Sequence, residues 1–115
     1  MNIMLIDDDE DCLVGLASAI EPAGHHCETF IEPEEAVARF PGKAYDCVIT
    51  DMKMPKMNGI QVLKAIKAQK PDIKVIIITG YGDVETAIAA VNNGAYSFFG
   101  KPVDINELLD TLQKV

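Results

Sequence analysis

The run Ile3-Met4-Leu5-Ile6-Asp7-Asp8-Asp9 places three consecutive acids directly after four apolar residues. Short apolar runs recur at Cys47-Val48-Ile49 and at Val75-Ile76-Ile77-Ile78. Continuous apolar runs of this length are typical of strands that are buried on both faces, as in a parallel sheet. The opening stretch therefore predicts a buried strand that ends in a group of carboxylates.

Segments with helical spacing separate these runs. In three of them the apolar residues recur at i, i+3, i+4 and i+7, which is the pattern of a helix with one face against a core. The three sets are Leu13, Leu16, Ala17 and Ile20; Val84, Ala87, Ile88 and Val91; and Ile105, Leu108, Leu109 and Leu112. The remaining predicted elements are a strand near His26 to Phe30, a helix from Pro33 that carries Ala36, Val37 and Phe40 on one side, and a helix from about Gly59 to Gln69.

Turn and capping residues bound the predicted helices. The first helix should end near Ile20, because Pro22 would remove one of its backbone hydrogen bonds, and Gly24 should close the turn that follows. Asp83 and Asp104 precede the last two helical patterns and are expected to cap them.

Five strands thus alternate with five helices. This order favours a parallel sheet whose two faces are covered by helices through right-handed crossovers. We predict one α/β domain over residues 1–115, with a flavodoxin-like, doubly wound (βα)5 fold and strand order 2-1-3-4-5. The last predicted helix ends close to Val115, so any C-terminal output domain is expected to lie outside this sequence.

Composition limits the classes of function. The formal net charge of -8 argues against direct binding to nucleic acid, which needs clustered Lys and Arg. The sequence contains neither a run of roughly 18 apolar residues nor the pattern of a signal peptide, so a cytoplasmic protein without membrane association is predicted. The cysteines Cys12, Cys27 and Cys47 include no C-x-x-C pair and are expected to be reduced, buried thiols.

Reactive side chains follow the carboxyl ends of the strands, which is where ligands bind in a doubly wound sheet. Asp7-Asp8-Asp9, Asp51, Thr79 and Lys101 are expected to converge there. Carboxylates about 4 Å apart repel by roughly 4 kcal/mol at an effective dielectric near 20, so the cluster requires a cation. Mg2+ prefers such oxygen ligands, and an aspartate beside it can accept a phosphoryl group. Asp51 is the central candidate for that role.

Each of these residues also has an ordinary structural interpretation. Acids before a helix often serve as caps, and Asp51 is also compatible with a turn. Thr79 is compatible with a strand-end hydroxyl and Lys101 with a solvated surface amine. Their common position at one edge of the predicted sheet favours a functional site.

These motifs resemble the receiver domains of response regulators in two-component signalling, over Ile3 to Leu112. The likeness rests on Leu5-Ile6-Asp7-Asp8-Asp9, Asp51-Met52-Lys53-Met54-Pro55 with Gly59, Thr79-Gly80 and Lys101-Pro102. The segments Thr79-Gly80-Tyr81-Gly82-Asp83 and Gly94-Ala95-Tyr96 are most similar to receivers of transcriptional activators of the nitrogen-regulation or dicarboxylate-transport type.

The resemblance implies a role for each matching residue. Asp51 would be the phosphoacceptor, and Mg2+ would be bound by Asp51, by Asp8 directly, by Asp7 through water and by the backbone carbonyl of Lys53. Two further residues would contact the phosphoryl oxygens: Lys101, and the hydroxyl of Thr79. Replacement of Lys101 is accordingly expected to leave Mg2+ binding intact. The bond between Lys101 and Pro102 would be cis.

The resemblance also implies partners. The phosphodonor would be a sensor histidine kinase or a phosphotransfer protein that docks beside the first helix, with Leu13, Val14 and Leu16 as expected contacts. Phe98 would turn inward toward space vacated by Thr79 and change the surface of helix four, strand five and helix five. That surface would control an output domain or a partner, typically in transcription regulation, and a phosphorylation-dependent homodimer is compatible with it.

Two alternatives compete with this regulatory, non-enzymatic interpretation. A haloacid-dehalogenase-type phosphatase also uses a strand-end aspartate and Mg2+, but its second acid would fall at Lys53. A receiver-fold module that binds partners constitutively would not need the complete set of Asp7, Asp8, Asp51, Thr79 and Lys101.

Overall fold

Helices and strands alternate along the computed structural model, which describes residues 1–80 and 84–115. The elements are β1 (Asn2–Ile6), α1 (Glu10–Ile20), β2 (His26–Phe30), α2 (Pro33–Arg39), β3 (Cys47–Asp51), α3 (Gly59–Gln69), β4 (Lys74–Thr79), α4 (Val84–Asn92), β5 (Ser97–Gly100) and α5 (Ile105–Gln113). Short 3-10 turns at Glu21–Ala23 and Phe40–Gly42 follow α1 and α2. Among the helices of the described ranges, none has the length and apolar character needed to cross a membrane.

The strands form a parallel sheet in the order β2-β1-β3-β4-β5. This confirms the predicted doubly wound fold and its strand order. The register pairs Ile6 with Thr50 and Asp51 with Ile78, so the carboxyl ends of β1, β3 and β4 lie side by side. Side chains that follow these strands therefore share one edge of the sheet.

Two apolar cores cover the two faces of the sheet. Because successive residues of a strand point to opposite faces, Met4 and Ile6 of β1 pack with α2 and α3, whereas Ile3 and Leu5 pack with α1 and α5. Leu13 and Ile20 of α1 and Leu108 and Leu112 of α5 belong to the second core. The apolar spacing predicted the inward faces of these two helices correctly.

The predicted boundaries agree well with the structure. β2 and α3 have the predicted bounds, and α1 ends at Ile20 with Gly24 at φ 98° in the turn. The carboxylate of Asp104 caps α5 by accepting the N–H of Glu107 over 3.2 Å. The expected cap Asp83 lies outside the described residues.

The predicted inward face of α4 is wrong. Val84 is 71% exposed, Ile88 52% and Val91 66%, whereas Ala90 is completely buried against the sheet. Because α4 carries apolar residues around most of its circumference, its periodicity does not define one face. The small side chain of Ala90 faces the sheet, and the bulkier branched residues lie on the solvent side.

The cysteines are free thiols, as predicted, but they differ in burial. Cys47 is fully buried, and burial raises its pKa to about 12. Cys12 and Cys27 are partly exposed, so the expectation that all three are buried was wrong for these two. They lie on α1 and on the edge strand β2, where the sheet and its helices do not fully cover them.

Candidate functional site

Three carboxylates meet at the carboxyl ends of β1 and β3. Asp7 and Asp8 follow β1, and Asp51 is the last residue of β3. One oxygen from each of these three residues lies within 4.8 Å of the other two. Asp7 and Asp51 are only 2% and 8% exposed, whereas Asp8 is open to solvent. The predicted convergence of these acids is confirmed.

Lys101 brings a positive charge into this cluster. Its Nζ lies 3.0 Å from Oδ2 of Asp7 and 3.2 Å from Oδ1 of Asp51. The backbone N–H of Lys101 donates to the carbonyl of Thr79 over 2.7 Å, which extends the contact between β4 and β5 by one residue. The peptide bond from Lys101 to Pro102 is cis, as expected. Lys101 thus ion-pairs with two of the three acids.

The electrostatics of the site follow from burial and crowding. Burial raises the pKa of Asp51, the charge of Asp7 raises it further, and nearby Lys101 offsets part of this effect. For Lys101 burial opposes the charged form, but the hydrogen bond to Asp7 and the charge of Asp51 outweigh it and raise its pKa. The ammonium is therefore charged at neutral pH. Its single positive charge neutralises only part of the negative charge of the three carboxylates.

The donor set fits a hard divalent cation. Three carboxylates with one open side give the oxygen ligands that Mg2+ prefers, together with access for the waters that it retains.

Asp9 does not belong to this group of three carboxylates. Its carboxylate caps α1 by accepting the N–H of Asp11 over 3.0 Å and that of Cys12 over 3.4 Å. Asp9 therefore serves as a helix cap, which is the structural alternative that the sequence allowed for the acids after β1.

The loop after Asp51 is tightly built. The N–H of Gly59 donates to the carbonyl of Met52 over 2.8 Å, which closes residues 52–59 into a loop over the end of β3. Within it, the N–H of Met57 donates to the carbonyl of Pro55 over 2.7 Å, and Lys56 between them has a positive φ of 68°. These features define a strained γ-turn centred on Lys56, which the sequence did not predict.

Thr79 and Phe98 lie on the neighbouring strands β4 and β5. Thr79 ends β4, is 1% exposed and pairs with Gly100 in the sheet register. Phe98 pairs with Ile77 and is partly buried against the core beneath α3 and α4. The two residues therefore lie within one segment of the β4–β5 ladder, and Thr79 directly follows Ile78, which pairs with Asp51.

The surface beside α1 differs in part from the expectation. Val14 is 60% exposed and Leu16 is partly buried, but Leu13 is only 2% exposed and belongs to the core, so it is unsuitable as a docking contact. A largely apolar cavity of about 490 Å³ lies between α1 and the residues after β5, and Gly15 and Lys101 help to line it. The sequence had no signal for this cavity, because it forms between segments distant in the chain.

Comparison with known families identifies the chain. The family model described as response regulator receiver domain matches residues 3–113. The chain therefore belongs to the response-regulator receiver domains, which are regulatory signalling domains of two-component systems. Family members generally bind Mg2+ and interact with histidine kinases and output domains.

Several curated relatives are regulatory proteins, and DctD and NtrC are named as transcriptional regulators. The C4-dicarboxylate transport transcriptional regulatory protein DctD of Rhizobium meliloti is 34% identical over 113 residues, which are 98% of this chain and 25% of that protein. The DNA-binding transcriptional regulator NtrC of Salmonella typhimurium is 34% identical over 97% of this chain and 24% of its own length. The photosynthetic apparatus regulatory protein RegA of Cereibacter sphaeroides is 35% identical over 96% of this chain and 60% of its length. The chain thus spans a quarter to three fifths of these relatives, two of which are of the predicted subgroup.

Solved structures agree with this assignment. A response regulator receiver domain protein from Clostridium thermocellum superposes with a TM-score of 0.93 at 36% identity, covering 98% of this chain and 91% of that one. The chemotaxis protein CheY4 of Vibrio cholerae gives a TM-score of 0.92 at 27% identity, covering 99% and 97%.

Proposed function

We propose that this receiver domain is a phosphorylation switch in which Asp51 accepts the phosphoryl group. One observation carries the proposal: the buried carboxylate of Asp51 lies among two further acids and 3.2 Å from the ammonium of Lys101. Phosphoryl transfer depends on positioning and on charge neutralisation around the transferred oxygens. This site supplies an oxygen nucleophile, a cation and ligands for a second cation within a few ångströms.

The residues proposed to hold Mg2+ are Asp8 and Asp51 directly, the backbone carbonyl of Lys53, and Asp7 through water. When bound, Mg2+ would neutralise negative charge on the phosphoryl oxygens and on the carboxylates. The side chain of Lys53 is exposed, and the proposal assigns only its backbone carbonyl to the metal.

In the proposed transfer an oxygen of Asp51 attacks the phosphorus atom of the donor. The bond between phosphorus and the donor's imidazole nitrogen breaks, and its electron pair leaves with that nitrogen. The product is an acyl phosphate on Asp51. Lys101 then pairs with the phosphoryl oxygens, and the hydroxyl of Thr79 donates a hydrogen bond to one of them.

The signal would leave the site through β4 and β5. Engagement of Thr79 draws the end of β4 toward the phosphoryl group, and Phe98 turns inward beside it. The surface of α4, β5 and α5 changes as a result. The exposed residues Val84, Ile88 and Val91 on α4 offer that surface apolar contacts for an output domain or partner, or for a second copy in a phosphorylation-dependent homodimer.

The proposed setting follows the family. A sensor histidine kinase or a phosphotransfer protein donates the phosphoryl group in the cytoplasm, and Val14 on α1 lies on the docking side. Residues 1–115 act as one domain, and any contact with DNA in transcription regulation is made by a different domain, because the net charge here is -8.

Incubation with Mg2+ and acetyl phosphate or beryllofluoride tests the proposal. We expect a Mg2+-dependent change in the amide spectrum that spreads from Asp51 to Phe98 and α4, and no such change in the Asp51→Asn variant. Absence of the change in the wild-type protein would instead favour a module that binds its partners constitutively. Multiple turnovers of phosphate release would favour a phosphatase, although the exposed Lys53 occupies the place of its second acid.

A further inference from the structure

We propose that Lys101 is an internal counterion that competes with Mg2+ for the carboxylates and so weakens the metal affinity of the unphosphorylated domain. This inference rests on the metal site of the proposed function. It adds a role for Lys101 before any phosphoryl group arrives, and it revises the expectation that replacing Lys101 leaves Mg2+ binding intact.

The contacts of the ammonium carry the argument. Nζ of Lys101 lies 3.0 Å from Oδ2 of Asp7 and 3.2 Å from Oδ1 of Asp51. Both acids belong to the group of three whose oxygens lie within 4.8 Å of one another. A metal ion bound by this group would therefore lie within a few ångströms of the ammonium and share its carboxylates.

Burial makes this competition strong. The side chains of Asp7 and Asp51 are 3% and 9% exposed, and that of Lys101 is 27% exposed. Water and salt screen charges in such a setting much less than charges on the open surface. The two cations therefore repel each other effectively, and occupation by one disfavours the other.

The charges also indicate how phosphorylation changes the competition between Lys101 and Mg2+ for the carboxylates. Three carboxylates and one ammonium leave the cluster with a net negative charge, which a divalent cation can still neutralise. An added phosphoryl group brings further negative charge and offers Lys101 a new partner. The ammonium then withdraws from the carboxylates, so phosphorylation strengthens Mg2+ binding, and bound Mg2+ in turn favours the phosphorylated state.

Titration with magnesium chloride alone at pH 8, followed by amide chemical shifts, tests the proposal. Lys101→Met and Lys101→Gln remove the charge, and we expect both to bind Mg2+ about tenfold more tightly or better than the wild type. Lys101→Arg keeps the charge and should stay within about twofold of the wild type. Lys56→Gln is the matched control, because it removes an exposed lysine whose ion pair is with Glu32 at 4.0 Å; it should change the affinity less than about twofold.

The outcomes separate this inference from the proposed function. Unchanged or weaker Mg2+ affinity in both uncharged variants overturns the counterion role but leaves phosphorylation of Asp51 standing. Failure of the wild-type domain to bind Mg2+ overturns both. Thermal unfolding gives a second readout that does not depend on the titration: Lys101→Met should be less stable than the wild type in EDTA, and the difference should shrink or reverse in saturating Mg2+. An equal difference in both conditions also counts against the counterion role.

Discussion

The carbonyl oxygen of Asp51 lies 2.7 Å from the point that a Cβ atom on Gly59 would occupy. The Cα of Met52 lies 3.0 Å from the same point. Both neighbours are backbone atoms, so neither can move aside as a flexible side chain can. The first residue of α3 thus packs directly on the backbone that presents Asp51, and glycine is needed there for its lack of a side chain.

Gly59→Ala should therefore lower the free energy of unfolding by about 2 kcal/mol, because the added methyl displaces the loop or the start of α3. Urea denaturation measures the loss, and labelling by acetyl phosphate should slow because Asp51 shifts. Gly15→Ala in α1 is the control. Nothing lies within 4 Å of its added Cβ, so it should raise stability by about 0.5 to 1 kcal/mol. Equal effects of the two variants would argue against the close packing of Gly59.

Asp51→Asn should abolish phosphorylation and keep the fold. Burial and the charge of Asp7 raise the pKa of Asp51 despite Lys101, so ionisation of Asp51 disfavours the folded state. The folded state then binds the proton of Asp51 more strongly than the unfolded state does. Protonation of Asp51 therefore stabilises the fold at low pH, and this stabilisation is lost as pH rises from the ordinary value of 3.8 through the raised pKa of the folded state. At pH 7 the variant should match the wild type or exceed it by up to about 1 kcal/mol, and the advantage should vanish in acid. Denaturation curves at several pH values measure the difference in free energy of unfolding between the variant and the wild type. A stability advantage of the variant that grows toward low pH would contradict the raised pKa of Asp51.

Thr79→Val should separate phosphorylation from its consequence. The change keeps the shape of a buried strand-end residue and removes the hydroxyl that is proposed to contact the phosphoryl oxygens. Asp51 should still be labelled by acetyl phosphate, but the spectral change at Phe98 and α4 should fall several-fold. Thr50→Val is a control on the same sheet, since that buried hydroxyl donates to the carbonyl of Asp51 over 3.0 Å and has no proposed contact with the phosphoryl group. A full response of Phe98 in Thr79→Val would exclude the proposed coupling.

Lys56→Gly should stabilise the domain. Lys56 has φ 68° in a γ-turn, where glycine has no steric penalty, and its ion pair with Glu32 joins two exposed side chains. We expect a gain of about 1 kcal/mol in urea denaturation. Gly24→Ala makes the opposite change at φ 98° and should destabilise by a similar amount. A loss of stability in Lys56→Gly would mean that contacts of the lysine outweigh its strain.

Ile88→Gln and Ala90→Leu test the orientation of α4. Ile88 is half exposed, so its replacement should change the free energy of unfolding by less than about 0.5 kcal/mol. Ala90 is fully buried, and a leucine there should cost about 1 to 3 kcal/mol through overpacking. The opposite ranking in thermal or urea denaturation would restore the inward face that the apolar spacing predicted. Loss of partner binding or dimerisation in Ile88→Gln, with stability retained, would support a role for this stripe in output.

The sequence by itself determined the order of elements, the parallel sheet and the identity of the clustered acids. Buried strands require continuous apolar runs, and the carboxyl ends of parallel strands meet at one edge, so local pattern and topology together bring Asp7, Asp8 and Asp51 to one place. The capping box at the start of α3 is also encoded locally, since Asn58 and Gln61 have the spacing that it requires. Such features depend on residues that are close in sequence or on rules common to all α/β sheets.

The tertiary structure alone decided which face of α4 is buried, how the loop after Asp51 turns, and which carboxylates Lys101 contacts. α4 is apolar on several sides, so only its fit against the sheet selects Ala90 as the inward residue. The positive φ of Lys56 and the close approach of Gly59 to Asp51 arise from closure of the loop over β3. The position of the Lys101 ammonium between Asp7 and Asp51 reflects a balance of charges from residues far apart in the chain. Distances of a few ångströms set the strength of these interactions, and spacing along the sequence does not encode such distances.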